Sequence, residues 1–283
     1  MRNNLDRLGL DTKEVQQSES PLASLQFVVP TEYVDLPSKG KYYPESHPLH
    51  GKDTIEIRYM TAKDEDTLTN QSLLKKGIAL EKVIEDIIVD KKIKPDILLV
   101  GDKNAIIVAA RKSAYGSEYL TKVICPSCDK NQKYNFDLNS SCNVKEPLND
   151  EEIEELGLTM TEQKTFLLTL PVTKIQVEIK MITGKDEAFI TNKIKELQAA
   201  KKEQPLLSLQ LRTMIKSIQG DIVDPSTITE IIDRLPARDS KHIRNIYQKL
   251  APNLDLTHTF ECNSCSYEGL LEVPFTSDFF WPK

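Results

Sequence analysis

The chain is predicted to adopt an α+β fold in which a strand-knuckle-strand unit occurs twice. A mainly helical domain is inserted between the two knuckles, and a helical block precedes the first. Three observations carry this prediction. Apolar residues alternate with polar ones around two Cys-x-x-Cys pairs, over residues 119–138 and 254–273. Between Thr183 and Leu250 the apolar residues recur at helical spacing, with Pro205, Gly220, Pro225 and Pro236 dividing the stretch into about four helices. The same spacing governs residues 61–116.

Taken in order, residues 1–24 form a polar arm in which only Leu5, Leu8 and Leu10 are a weak apolar group. Residues 25–118 hold extended pieces punctuated by Pro30, Pro37, Gly40 and Pro44, then a strand and the helical block. In the strand, Ile55, Ile57 and Tyr59 alternate with polar neighbours. Thr61 is an N-cap candidate with Asp64 and Glu65 in the first turn, where acids complement the helix dipole. That helix runs to about Lys76 and breaks at Gly77; Leu80, Val83, Ile84, Ile87 and Ile88 make the next. Asp102 is read as the cap of a third, ending near Tyr115 and Gly116.

Residues 119–145 together with 251–275 are assigned to the two knuckles and their strands. The inserted domain, 146–250, opens with a short acidic helix at 151–156 and a hairpin over 166–182, split at Pro171. Thr183 is a second capping candidate, followed by three helical stripes: Ile190, Ile194 and Leu197; Leu207, Leu211, Met214, Ile215 and Ile218; and Ile243, Ile246, Tyr247 and Leu250. Residues 276–283 are an aromatic tail.

The two cysteine pairs carry the chemistry. Zinc takes thiolates in tetrahedral sets of four, and a Cys-x-x-Cys turn presents two sulfurs on one side of an ion. Cys125-Pro126-Ser127-Cys128 and Cys262-Asn263-Ser264-Cys265 each sit between strands and lead into a polar turn. Together they predict one structural zinc per chain in a zinc ribbon. The pairs are about 130 residues apart instead of the roughly 15–20 of a compact ribbon, a gap that an inserted domain explains. Neither pair opens an apolar-periodic helix, as a redox dithiol would. Cys142 has no partner at ligand spacing and reads as a free thiol.

Composition bounds the rest. Hydrophobic residues at 39% and charged residues at 28% belong to an ordinary globular chain. A net charge of −6 and a pI near 5.4 disfavour a general nucleic-acid binder, which would need lysine and arginine to neutralise phosphates. The run Lys91, Lys92 and Lys94 is a solvated helix end before it is a phosphate site. No membrane-spanning stretch or signal-peptide core is present in the sequence, placing it in a reducing cytoplasm where cysteines favour metal over disulfides. His47, His50, His242 and His258 are scattered, and no Walker loop or dinucleotide fingerprint occurs, so no catalytic residue is assigned and the chain reads as a binding and assembly protein. A nucleic-acid-binding zinc-ribbon protein of the transcription-factor type is the alternative. Phe279, Phe280 and Trp281 gather at the end of the chain, either closing over its own core or anchoring a partner; Pro274 and Pro282 frame an extended segment there, which favours the anchor.

Leu235-Pro236-Ala237-Arg238-Asp239, the second cysteine pair and the closing stretch from Val273 to Pro282 resemble the baseplate hub assembly proteins of T-even-type contractile-tailed bacteriophages. Val100-Gly101-Asp102-Lys103, leading through Arg111 to Gly116 and Cys125-Pro126-Ser127-Cys128, is similar to the central motif of the same family. The resemblance covers most of the chain after about residue 50. It implies a late viral protein that acts in host cytoplasm in construction of the tail baseplate hub, either staying in the virion tail baseplate or serving as an assembly helper. Its partners would be other hub and tail proteins, with no small-molecule substrate and no catalytic residue.

Overall fold

The computed structural model describes residues 28–140, 143–222, 224–274 and 277–280. The polar arm, Cys142 and Trp281 therefore lie outside the described residues. The chain divides after Pro30, and every helix and strand named below belongs to the unit that begins at Thr31.

That unit mixes helices with small antiparallel sheets. Strand β1 (Thr31–Asp35) pairs with β2 (Thr54–Arg58), which turns Val34, Ile55 and Ile57 inward. The loop between them is buried at Leu36, Tyr42, Tyr43 and Leu49. Helix α1 (Ala62–Thr69) begins at Thr61, whose N–H and hydroxyl both donate to the Asp64 carboxylate, a reciprocal cap of the kind the sequence suggested. The helix does not continue to Lys76 in one piece. Asn70 has extended backbone and accepts from the Ser72 and Leu73 amides, starting α2 (Gln71–Lys76), and left-handed Gly77 ends it.

Helix α3 (Ala79–Ile87) buries Val83, Ile84 and Ile87, and a 3-10 turn at Pro95–Ile97 leads to α4 (Val100–Tyr115), which stops at Gly116. Leu99, not Asp102, is the N-cap of α4. Asp102 is fully buried; its carboxylate accepts the Ser38 N–H at 2.9 Å, the Ser38 hydroxyl at 2.6 Å and the Tyr43 hydroxyl at 2.8 Å. A residue that looked like a local cap instead fastens the 36–43 loop to the central helix, because a buried carboxylate requires donors and these are the donors within reach.

Two hairpins follow the pattern of the cysteine pairs. Strands β3 (Glu118–Ile124) and β4 (Asn131–Asp137) carry the first pair at their turn, and β12 (Thr257–Glu261) and β13 (Glu268–Glu272) carry the second. Between them β5 (Asn143–Lys145) leaves the first hairpin and β11 (Asn253–Asp255) returns to the second, and these two strands pair antiparallel, Lys145 opposite Asn253. Residues 146–252 thus depart and come back through adjacent strands.

That long segment contains the acidic helix α5 (Asp150–Glu155), capped by Asn149 and Glu152. It also contains a sheet in the order β10-β9-β8-β7-β6, built from β6 (Thr159–Met160), β7 (Phe166–Thr169), β8 (Gln176–Ile179), β9 (Ile215–Ile218) and β10 (Asp221–Ile222). Helices α6 (Gly184–Ala199), α7 (Leu206–Met214), α8 (Pro225–Arg234) and α9 (Ala237–Leu250) complete it. Two expectations are corrected. Ile215 and Ile218 are not the end of a helical stripe, since α7 stops at Met214 and the next residues pair with β8. The stripe Ile190, Ile194 and Leu197 on α6 is only half-buried. One apolar core nonetheless runs from Val34 to Phe280, through the hairpins and the long segment alike.

Candidate metal centre

Each knuckle is built by the same local rules. In the first, the Cys125 amide donates to the Lys130 carbonyl and the Asp129 amide to the Cys125 carbonyl, both at 3.0 Å. In the second, the Cys262 amide donates to the Tyr267 carbonyl and the Ser266 amide to the Cys262 carbonyl, both at 2.9 Å. Asp129 and Ser266 take matching left-handed φ of 55° and 53°, which closes each turn after its second cysteine. The Ser127 and Ser264 amides point at the sulfurs of Cys125 and Cys262, each at 3.4 Å. Register agrees as well: Ile124 faces Asn131 as Glu261 faces Glu268. The two knuckle hairpins are copies of one unit at the backbone level.

The inner faces of the hairpins pack on each other. Tyr134 meets Phe260 at 5.5 Å between ring centroids and His258 at 5.8 Å, and Phe136 meets His258 at 5.9 Å. Polar bonds fix the alignment: the Tyr134 hydroxyl donates to the Thr259 carbonyl at 2.8 Å. Gln132 donates to the Glu261 carbonyl at 3.1 Å and accepts from the Asn263 amide at 3.0 Å. The cysteines thereby converge from chain positions 134 and 140 residues apart.

All four sulfurs lie within 4.8 Å of one another. Cys125 Sγ is 3.7 Å from Cys265 Sγ, and Cys128 Sγ is 3.8 Å from Cys262 Sγ. These distances are far too long for a disulfide, whose sulfurs are about 2.05 Å apart. A tetrahedron with metal–sulfur bonds of ~2.3 Å has edges of about 3.8 Å, so the spacing suits an ion at the centre. Cys125 and Cys262 are buried, Cys128 is half-buried and Cys265 is exposed, so the cluster is closed on one side and open on the other. The Ser264 amide, with the Cys265 amide and neighbouring thiols, draws the Cys262 thiol down to about 6. At Cys128 the Lys130 amide pulls downward, yet desolvation and the other three sulfurs push the thiol up to about 12. One thiolate forms readily and opposes the next; a cation among them removes that opposition. The four cysteines could hold a metal ion.

The remaining residues singled out in the sequence resolve differently. Phe279 and Phe280 lie on a single turn, Ser277–Phe280, and are 1% and 5% exposed. The Phe279 ring packs edge-on against Tyr119 at 5.1 Å. These two rings face the chain's own core, the other of the two arrangements the sequence allowed. Lys91 donates to the carbonyls of Glu85, Asp86 and Ile88 at the end of α3, and Lys94 pairs with Glu85, so this basic run closes a helix.

Sequence reasoning missed the buried cations. Arg111 is 1% exposed, and its guanidinium donates to the carbonyls of Phe279, Gly116 and Glu118. Lys103 lies in a cleft of about 470 Å³ between α2, α3, α4 and α6, bonded to Glu81 at 2.6 Å and Glu187 at 2.7 Å. Burial would lower its pKa, but Glu187 and Glu81 outweigh that and hold it above the ordinary lysine value. An ammonium so committed is an ion-pair member and not a base. Among the described residues, no helix is long and apolar enough to cross a membrane.

Neither the curated proteins nor the solved structures include a match to this chain. Residues 29–281, covering the whole body from before β1 to beyond the last helical turn, match the family described as T4 bacteriophage base plate protein, and the chain belongs to that family.

Proposed function

We propose that this phage baseplate protein works in the baseplate hub, as a component or an assembly protein, and acts through contacts with other tail proteins on a scaffold held by one structural zinc ion. The observation that carries this reading is the convergence of Cys125, Cys128, Cys262 and Cys265 from twin knuckles with edges of 3.7 and 3.8 Å. Four thiolates and no other ligand type select zinc over magnesium or calcium, which take oxygen, and a shell filled by protein leaves no open position for a substrate. The domain reading follows: a ribbon of 119–145 with 251–275, carrying 146–250 as its insertion, with β5 and β11 as the paired strands through which that insertion is attached. Clamping both hairpins by one ion would fix the two ends of the insertion, and with them the surfaces offered to partners. The non-enzymatic role rests on the structural character of the family. Residence in the tail baseplate is the corresponding location, reached from the host cytoplasm during assembly.

Native mass spectrometry of the purified chain should find one zinc per polypeptide, lost on Cys125→Ser and on Cys262→Ser alike. Retention of metal by the Cys262→Ser protein would show that the two knuckles do not share an ion.

A further inference from the structure

The inner faces of the two hairpins pack together, so their outer faces point in opposite directions, and the side chains on those faces are of opposite character. On β3 and β4 the outer face carries Leu120 opposite Asn135, Lys122 opposite Lys133 and Ile124 opposite Asn131, with Lys130 exposed in the knuckle. Leu120 and Ile124 are 58% and 59% exposed. On β12 and β13 the outer face carries Thr257 opposite Glu272, Thr259 opposite Leu270 and Glu261 opposite Glu268, and Leu270 is 68% exposed. Glu118 and Asp137 face each other at the end far from the knuckle, and Asp129 is exposed beside Lys130 in the knuckle turn.

Two features of these faces are costly for a free monomer. Like charges directly opposite each other on neighbouring strands repel, and each hairpin has such a pair, Lys122 with Lys133 and Glu261 with Glu268. None of these four has an ion-pair partner among the described residues. Large apolar side chains beside them stay in water. Both costs vanish if the lysine pair of one molecule meets the glutamates of another while Leu120 and Ile124 cover Leu270.

We infer that the outer face of the first hairpin docks on the outer face of the second hairpin of another copy of this chain, a head-to-tail contact between knuckle units. Because the two faces differ and look away from each other, each molecule keeps one free face after pairing, and the contact propagates into a ring or a short stack. Strands of five to seven residues, two abreast, span about 20 Å by 10 Å, which suits a weak contact that accumulates with concentration. The occupant is a second copy because both halves of the complementary pair are present on one chain. This inference goes beyond the proposed scaffold and does not depend on which metal the cysteines hold.

The test uses the full chain in sedimentation velocity over a rising concentration series at low and high salt, with metal content and thermal melting measured for every variant. The native chain should associate beyond a dimer, less so in high salt. Lys122→Glu with Lys133→Glu, and separately Glu268→Lys with Glu272→Lys, should each weaken association at least about tenfold while metal content and melting stay as in the native chain. Mixing those two variants should restore a heterologous complex, and the chain carrying all four changes should self-associate again. A native chain that stays monomeric at every concentration overturns the inference, as does a closed dimer indifferent to both sets of changes. A native chain that contains no metal yet associates in this way would count against the scaffold reading alone, and so the two failures are told apart.

Discussion

Arg111 donates from Nε to the main-chain carbonyl of Phe279 at 2.6 Å, across 168 residues of sequence. The same guanidinium reaches the carbonyls of Gly116 at 2.8 Å and Glu118 at 2.9 Å, and its carbon lies 5.2 Å from the centroid of the Tyr115 ring. One side chain therefore closes the C-terminal end of α4, starts β3 and holds the last described turn of the chain. Burial draws its pKa down, with Tyr115 and Tyr119 acting in the opposite sense. Arginine stays charged in such a place because its charge is delocalised and its planar fork of donors can satisfy several carbonyls at once.

Replacing Arg111 by Met keeps most of the volume and removes every donor. Three buried or half-buried carbonyls then lose partners, at about 1–3 kcal/mol for each group left unsatisfied. With water relieving the more exposed two, the expected loss is about 2–4 kcal/mol, read as a lower urea midpoint with an unchanged slope. Arg111→Lys should recover only part of it, since an ammonium cannot span the three directions. Equal midpoints for the native and Met chains would mean that the guanidinium does not hold the turn.

Phe279→Ala tests the same closure from the other side. A fully buried phenylalanine costs about 3–5 kcal/mol on truncation, whereas a surface position costs within about 0.5 kcal/mol. Since Phe279 is 1% exposed and packed against Tyr119 and Phe280, the larger figure is expected. A variant that melts like the native chain, yet fails to support tail assembly, would return this ring to the role of partner anchor.

What could be read in advance depended on how local its cause was. Thr61 with Asp64 in its first turn, Thr183, Gly77 and Gly116 each act within one helical turn, and their roles were legible; the Asp186 carboxylate that Thr183 donates to was not singled out. The cysteine pairs were legible for the same reason, because strand, knuckle and polar turn are a local pattern even when repeated at a distance. Ile215 and Ile218 were not: at i, i+3 spacing after Leu211 and Met214 they extend a helical stripe, and only pairing with β8 turns them into a strand. Asp102 failed likewise, its partners Ser38 and Tyr43 being 64 and 59 residues away. The short strands β1 and β5 carry too few alternating residues to stand out, and the inward turn of Phe279 depends on Arg111, far off in sequence.

Gly101 has a role that no local signal shows. A Cβ placed there would stand 2.1 Å from the Pro252 carbonyl oxygen and 2.9 Å from Cα of Asn253, so the first turn of α4 lies directly against the start of β11. Both obstacles are backbone and cannot swing aside. Gly101→Ala should therefore cost about 1–3 kcal/mol or more by overpacking, despite alanine's better helix propensity. Hydrogen exchange should show the added opening in β11 and β5, which that approach supports. A stabilised Gly101→Ala chain would show that α4 and β11 have room to part.

Asp239 supplies a pH-dependent term. Fully buried in the first turn of α9, it accepts the Val172 amide at 2.8 Å and the Thr173 amide at 3.0 Å, tying the β7–β8 turn to the helix. Burial would raise its pKa, but the Thr173 and Val172 amides outweigh burial and hold the carboxyl below the ordinary aspartate value. With the folded-state pKa below the unfolded one of about 3.9, the unfolded chain binds the proton first as pH falls. The contribution is thus complete above about pH 5 and is lost as pH falls through the folded-state value. Asp239→Asn keeps one acceptor oxygen, removes the charge and forces an NH₂ towards an amide donor. It should cost about 1–3 kcal/mol at neutral pH. The difference between native and variant midpoints should shrink steadily from pH 5 downward, as the native carboxyl takes up its proton. A difference that stays constant over that range would show that Asp239 stabilises the turn by shape alone and not as a carboxylate.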